Sequence, residues 1–456
     1  MIFISRLVTT CLVLLVCHQI ELQATSQSID FIETTLENGL RIVVAEDHVA
    51  PVVSIAVNYE VGSRDERRGR TGFAHLFEHM MFEGSENVGD GEHVLLIGNN
   101  GGDVNGTTNK DRTIYFERMP SNQLDLALFL EADRMASLDI TQENLDNQRQ
   151  AVQEERRLRI DNQPYGHVFE VVDELAYTNF AYAHSVIGSM TDLSAATITD
   201  VASFFRTYYA PNNAVLAIVG DVDAETAIEK ARQRFGSIPR QPDPPRVDLT
   251  EPVQATERRA SYDDPLARLA RIDIAYHIPE SLSPDHDALS VLATVLSSGR
   301  SSRLYQSIVR ETQLGVNVGA FAVDNRGPTL FRVVGIAAPD ADVFQLETNI
   351  YEQIERIKQE PVEAWELEKA RNGARRSFVS SLGSSLQRAI ALSRYALFYN
   401  DPGLINSRAE RVADVSFEDL QRVARQYLVK NNRTVVVTHP APADEQTQKS
   451  TREEQF

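Results

Sequence analysis

Apolar and polar positions alternate through Val53, Ile55 and Val57, and again through Ile272, Ile274 and Tyr276. A period of two turns one side of a strand into a core and the other away from it. The two stretches lie 219 positions apart, and the same offset carries Asp200, Tyr208, Asn212 and Asn213 onto Asp419, Tyr427, Asn431 and Asn432. An apolar strand follows each set, Val215 to Val219 in the first and Thr434 to Val437 in the second. One offset held over so many positions marks an internal duplication. Long helical stretches such as Asn122 to Ser137 and Glu143 to Arg159 fill the space between the strands. The expected fold is therefore α+β: two homologous domains, each a mostly antiparallel sheet with helices packed on one face.

At 456 residues the chain exceeds the roughly 250 to 300 residues that one core organises, which fits two domains. Pro239, Pro242, Pro244, Pro245 and Pro252 fall close together and disfavour regular structure, so 239–262 reads as a linker between domains at 27–238 and 263–440. The polar segment 441–456 reads as a disordered tail.

Residues 1–24 have the pattern of an export signal, with Arg6 ahead of the apolar run Leu7 to Val16 and small or polar residues through Ala24, Thr25 and Ser26. Both cysteines, Cys11 and Cys17, fall inside it, so the mature chain would hold no disulfide. Export to the periplasm is the expectation, with lipid anchoring at Cys17 as a variant of it. No later segment approaches the roughly 18 consecutive apolar residues of a membrane helix. A net charge of −20 argues against nucleic acid, since phosphate contacts require clustered Lys and Arg.

Candidate chemistry is concentrated in Gly72-Phe73-Ala74-His75-Leu76-Phe77-Glu78-His79. Four-residue spacing puts His75 and His79 on one helix face, where both imidazoles can reach one ion. Glu78 falls beside the same spot and can take a proton from water held there. Three polar groups on an otherwise apolar helix need partners. A catalytic zinc takes three protein ligands, and the acidic helix with Glu143, Asp146, Glu154 and Glu155 can supply the third. Spacing does not choose among these four.

The chain resembles the metallopeptidases of pitrilysin, insulysin and mitochondrial processing peptidase, in their short bacterial form. The resemblance rests on the HLFEH core within 72–84, on Gly101-Gly102-Asp103-Val104-Asn105-Gly106-Thr107-Thr108, on Asn147 through Arg157, on Asn162 to Gly166 and on Tyr209-Ala210-Pro211-Asn212-Asn213. It implies one Zn2+ per chain, held by His75, His79 and Glu155, with Glu78 as base. A supporting Glu of the family is Gln148 here, which can still orient a ligand by hydrogen bonding. The resemblance also implies that a peptide adds as a strand along Asn105, Gly106 and Thr107.

No His pair with ligand spacing and a Glu occurs in the second half. In the family this half can present an Arg and, seven residues on, a Tyr that hold the scissile carbonyl. Arg310 matches the Arg, and Asn317 stands where the Tyr is expected. The implied function is a zinc endopeptidase acting on extended peptides or small unfolded chains, as the zinc-bearing subunit of a clamshell dimer. Its partner would be a related subunit carrying the Arg and Tyr, or a second copy of the same chain. The alternative is a non-catalytic scaffold or peptide-binding subunit of the same family.

Overall fold

The computed structural model describes residues 28–441. The export signal read at 1–24, Cys17 within it and all but the first residue of the tail lie outside the described residues. The first sheet has six strands in the order β1 (Ile32–Thr35), β2 (Arg41–Glu46), β6 (Ala214–Gly220), β3 (Val52–Tyr59), β5 (Thr113–Pro120) and β4 (Asp103–Thr108). The second has five, in the order β7 (Arg258–Asp264), β11 (Arg433–Pro440), β8 (Arg271–Ile278), β10 (Thr329–Ala337) and β9 (Gly315–Ala322). β2 and β6 pair in parallel, as do β7 and β11, and every other ladder is antiparallel. The second sheet thus repeats the wiring of β2 to β6, which is the duplication expected from the offset.

The expected α+β class agrees with this arrangement. Helices α1 (Phe73–Met80), α2 (Glu92–Asn99), α3 (Leu124–Ala136) and α4 (Gln142–Arg156) belong to the first half. Their apolar residues meet β2, β3, β5 and β6 in one core that includes Leu76, Phe77, Met80, Leu128 and Val152. Each half also lends a helix to the other. α5 (Val168–Ala176) packs on β8 and β11, with Val168 and Val172 clustered against Ala275 and Val436. α6 (Ser385–Tyr399) packs on β3 and β6. There the Ser54 and Ser385 hydroxyls meet at 2.9 Å, and Arg41 Nη1 donates to the Ala396 carbonyl at 2.6 Å. Each sheet is therefore covered on its second face by a helix from the other half, which the expectation of helices on one face did not include.

The proline-rich segment carries neither helix nor strand from 236 to 257, but Arg258 already opens β7, inside the stretch read as linker. The prolines stop at Pro252, and the backbone beyond is free to pair with β11. Ala441, read as the start of a disordered tail, is buried and donates its N–H to the Asp264 carbonyl at 3.1 Å.

Candidate metal centre

Helix α1 begins at Gly72, whose φ of 86° lies in the left-handed region where glycine is favoured. The buried Glu66 carboxylate accepts from the Gly72 N–H at 2.9 Å and the Ala74 N–H at 2.7 Å, satisfying donors that a helix start leaves open. Glu66 is held in turn by His184, whose Nε2 lies 3.0 Å from Oε2. Leu76, Phe77 and Met80 bury one face of this helix, which leaves His75, Glu78 and His79 on the other.

The two imidazoles stand edge to face, with ring centroids 4.9 Å apart. Glu155, near the end of α4, brings Oε2 to 3.6 Å from His75 Nε2 and 3.4 Å from His79 Nε2. A tetrahedral ion with bonds of about 2.0 to 2.1 Å needs ligand atoms roughly 3.3 to 3.4 Å apart; the two Glu155 separations lie close to that, and the three donors, within 4.8 Å of one another, are of the type zinc takes. Of the four acids that spacing left open, Glu155 is the one whose carboxylate reaches the imidazoles. Glu154 pairs outward with Arg157 at 2.9 Å, Asp146 pairs with Arg149 at 2.5 Å, and Glu143 is exposed.

Burial, followed by the neighbouring His79 and Arg159, holds the His75 imidazole down at about 3, so it is neutral with a lone pair available. His79 Nδ1 lies 3.1 Å from Gln148 Oε1, and Gln148 Nε2 donates to Glu83 Oε1 at 2.7 Å. An amide oxygen can only accept, which assigns the hydrogen to Nδ1 and turns Nε2 toward Glu155. Gln148 thus links His79 to Glu83 by hydrogen bonds. Glu155 Oε1 is paired with Arg159 at 2.5 Å.

Glu78 is seated by a residue to which the sequence assigned no role. Thr108, at the end of edge strand β4, donates its hydroxyl to Glu78 Oε2 at 2.6 Å. Burial raises the Glu78 carboxyl, and the Thr108 hydrogen bond opposes that rise. Gly106, on the strand along which a peptide is expected to add, makes room for Glu78: a Cβ there would lie 3.0 Å from Glu78 Cγ. Asn105 Oδ1 accepts from the Gly106 N–H at 2.8 Å, while the Thr107 carbonyl and hydroxyl accept from Arg112 Nη1 at 3.0 and 2.9 Å. Among the described residues β4 pairs only with β5, so its other edge has no partner strand there, and β4 packs against α1. A cavity of about 410 Å3 adjoins this group, lined by His75, Thr108, Glu155, Arg159, Phe169 and Ile187 among others.

Arg310 and Asn317 lie in the second half, Arg310 in the helical turn Tyr305–Glu311 and Asn317 exposed on edge strand β9. Among the described residues, no hydrogen bond or ion pair joins either one to His75, His79 or Glu155. Both groups of three or more metal-ligand side chains found among the described residues belong to the first half.

The sequence model of the insulinase family, peptidase family M16, matches residues 41–190, the stretch that holds this trio. The model of the M16 inactive domain matches 195–374. Zinc protease PqqE of Helicobacter pylori is 30% identical over 440 residues, covering 96% of this chain and 99% of that protein. The chain belongs to peptidase family M16. The crystal structure of a protease from Helicobacter pylori superimposes with a TM-score of 0.86 at 29% identity, covering 90% of this chain and all of that one. An M16 inactive domain from Pseudomonas fluorescens shares the fold with a TM-score of 0.80 at 17% identity, over 91% of this chain and 99% of that one. The two sheets are those of the M16 fold.

Proposed function

We propose that this M16 chain is a zinc-dependent endopeptidase that cuts extended or unfolded peptides, with His75, His79 and Glu155 holding one Zn2+ and Glu78 acting as base. The observation that carries this reading is the approach of one Glu155 oxygen to both imidazole Nε2 atoms, at 3.6 and 3.4 Å. Zinc, when bound, supplies Lewis acidity that brings the pKa of water toward about 7. Glu78 accepts the proton of that water and returns it to the leaving amine. Thr108 holds the carboxylate through that exchange, and Gln148 keeps His79 in the tautomer that offers Nε2. The open edge of β4 pairs with the peptide backbone through Asn105, Gly106 and Thr107.

Asn317 in place of the family Tyr leaves this chain without one expected donor to the scissile carbonyl, and such a donor is worth about 3 to 4 kcal/mol of barrier. We read the chain as the zinc-bearing subunit of a clamshell pair, with a related subunit supplying Arg and Tyr, or with a second copy if Arg310 suffices. Export to the periplasm follows from the pattern at 1–24, and no helix among the described residues is long and apolar enough to cross a membrane.

A non-catalytic scaffold finds its support in the match of 195–374 to the inactive domain. The seated Glu78 favours the enzyme, because a scaffold has no use for a base beside three ligands. Glu78→Gln separates the two readings: we expect zinc retained at one ion per site and hydrolysis of unstructured peptides lost. Turnover unchanged in that variant removes Glu78 as the base, and absence of turnover in the wild type, alone or with a related subunit, leaves the scaffold.

A further inference from the structure

A second group of ligand-type side chains converges behind the imidazole helix. Glu117 comes from β5, Glu131 from α3 and His93 from α2, and one ligand atom of each lies within 4.8 Å of the others. All three are buried, His93 to 3% exposure and the two Glu to 1% or less. Neither Glu117 oxygen has a hydrogen-bond partner, and nor has His93 Nε2. Glu131 alone is answered by a cation, since Arg134 donates to it through Nε at 3.0 Å and through Nη2.

Two carboxylates therefore share one guanidinium in a region closed to solvent. With both carboxylates ionised, the single guanidinium leaves one negative charge uncompensated beside the imidazole. Buried polar atoms are almost always partnered, by protein, water or an ion, so three orphaned ligand atoms at one point, with Arg134 Nη1 orphaned beside them, call for an occupant.

We propose that His93, Glu117 and Glu131 form a second divalent-cation site of the zinc class, structural in role and separate from the group at His75, His79 and Glu155. Imidazole and carboxylate ligands from three different elements are the donor set such ions take. A cation engages His93 Nε2 and a Glu117 oxygen together and offsets the charge that Arg134 leaves over. A single proton on Glu117 satisfies only one further acceptor. Each Glu131 oxygen keeps a lone pair beyond the one used by Arg134. The Tyr115 ring has its centre 4.4 Å from the Arg134 guanidinium carbon and its edge next to Gly106, which in turn adjoins Glu78. The ion, enclosed by α2, α3 and β5, enters as the chain folds, so its binding contributes to folding.

This inference does not depend on the peptidase reading, and zinc counting separates the two. The full chain is refolded with zinc, desalted and measured by elemental analysis as wild type, as His75→Ala/His79→Ala, and as that double variant with Glu117→Gln added. We expect two ions, one ion and none, with the double variant melting lower when refolded in chelator than in zinc. A double variant that folds and retains no zinc overturns the second site and assigns the group to a protonated Glu117 with water. Because the substitutions can impair folding, anomalous scattering at the zinc edge from wild-type crystals gives an independent reading. A peak between His93 and Glu117 is expected, and a peak at His75 and His79 alone overturns the proposal. A peak at His93 and Glu117 alone would instead sink the catalytic reading and leave this one standing.

Discussion

Thr108 donates its hydroxyl to Glu78 across the gap between an edge strand and a helix, at 2.6 Å. The bond ties the strand expected to receive a peptide to the carboxylate expected to move the proton. Thr108→Val should lower kcat by roughly 10- to 100-fold, the loss of one hydrogen bond to a charged group. Thr108→Ser should restore most of it, and zinc content should stay the same in both. Equal kcat for the Val variant and the wild type would remove Thr108 from the machinery.

Gln148 acts on the ion through His79. Gln148→Ala frees the His79 ring to rotate and to change tautomer, and should weaken zinc binding about 10- to 100-fold. Competition against a chelating dye measures this directly. An unchanged affinity would mean that packing alone fixes the ring.

Gly188, at φ 75°, lies against the start of α1, and a Cβ there would come within 2.4 Å of the Gly72 backbone. Gly188→Ala must therefore either displace the helix that carries both imidazoles or strain its own backbone. We expect a loss of about 2 kcal/mol or more in stability, read by denaturant melts, and reduced zinc affinity in the folded fraction.

Asp65 offers a pH test away from the ligands. Burial, which outweighs Arg64 beside it, lifts its carboxyl to about 6 from an ordinary 3.8. The folded state therefore holds this proton more tightly than the unfolded state does. Its stabilising contribution is full below about pH 4 and is lost as the pH rises through 6, up to roughly 3 kcal/mol in all. Asp65→Asn keeps an oxygen for the Gly62 N–H and removes the titration. The stability difference between wild type and Asp65→Asn should shift against the wild type between pH 4 and 6 and level off above; a flat difference would refute the raised value.

How much of this was legible in the sequence depended on whether the signal was local. The His75, Glu78 and His79 arrangement follows from helical spacing and needs no tertiary knowledge. The third acid could not be chosen by spacing, because Glu154 and Glu155 differ only by their turn about α4, which the approach of α1 sets. The paired strands were visible in alternation and in the repeat. The lending of α5 and α6 was not, because an apolar helix face does not say which sheet it will cover. Glu117, Glu131 and Arg134 carried no signal at all, since charges in amphipathic segments ordinarily mark solvent-facing positions. Strand β7 is hidden in the sequence, because the prolines that disfavour regular structure end only six residues before Arg258.

The lending of one helix in each direction also limits how this molecule can be taken apart. Severed within the proline-rich segment and produced as two pieces, each sheet would lose the cover of one broad face. Val436 and Ala275 on one side, and Ser54 and Asn58 on the other, would open to water or to any other unsatisfied surface. Each fragment should therefore be insoluble alone and recover when co-expressed with its counterpart, so the duplicated architecture behaves as a single inheritance unit although its wiring is written twice.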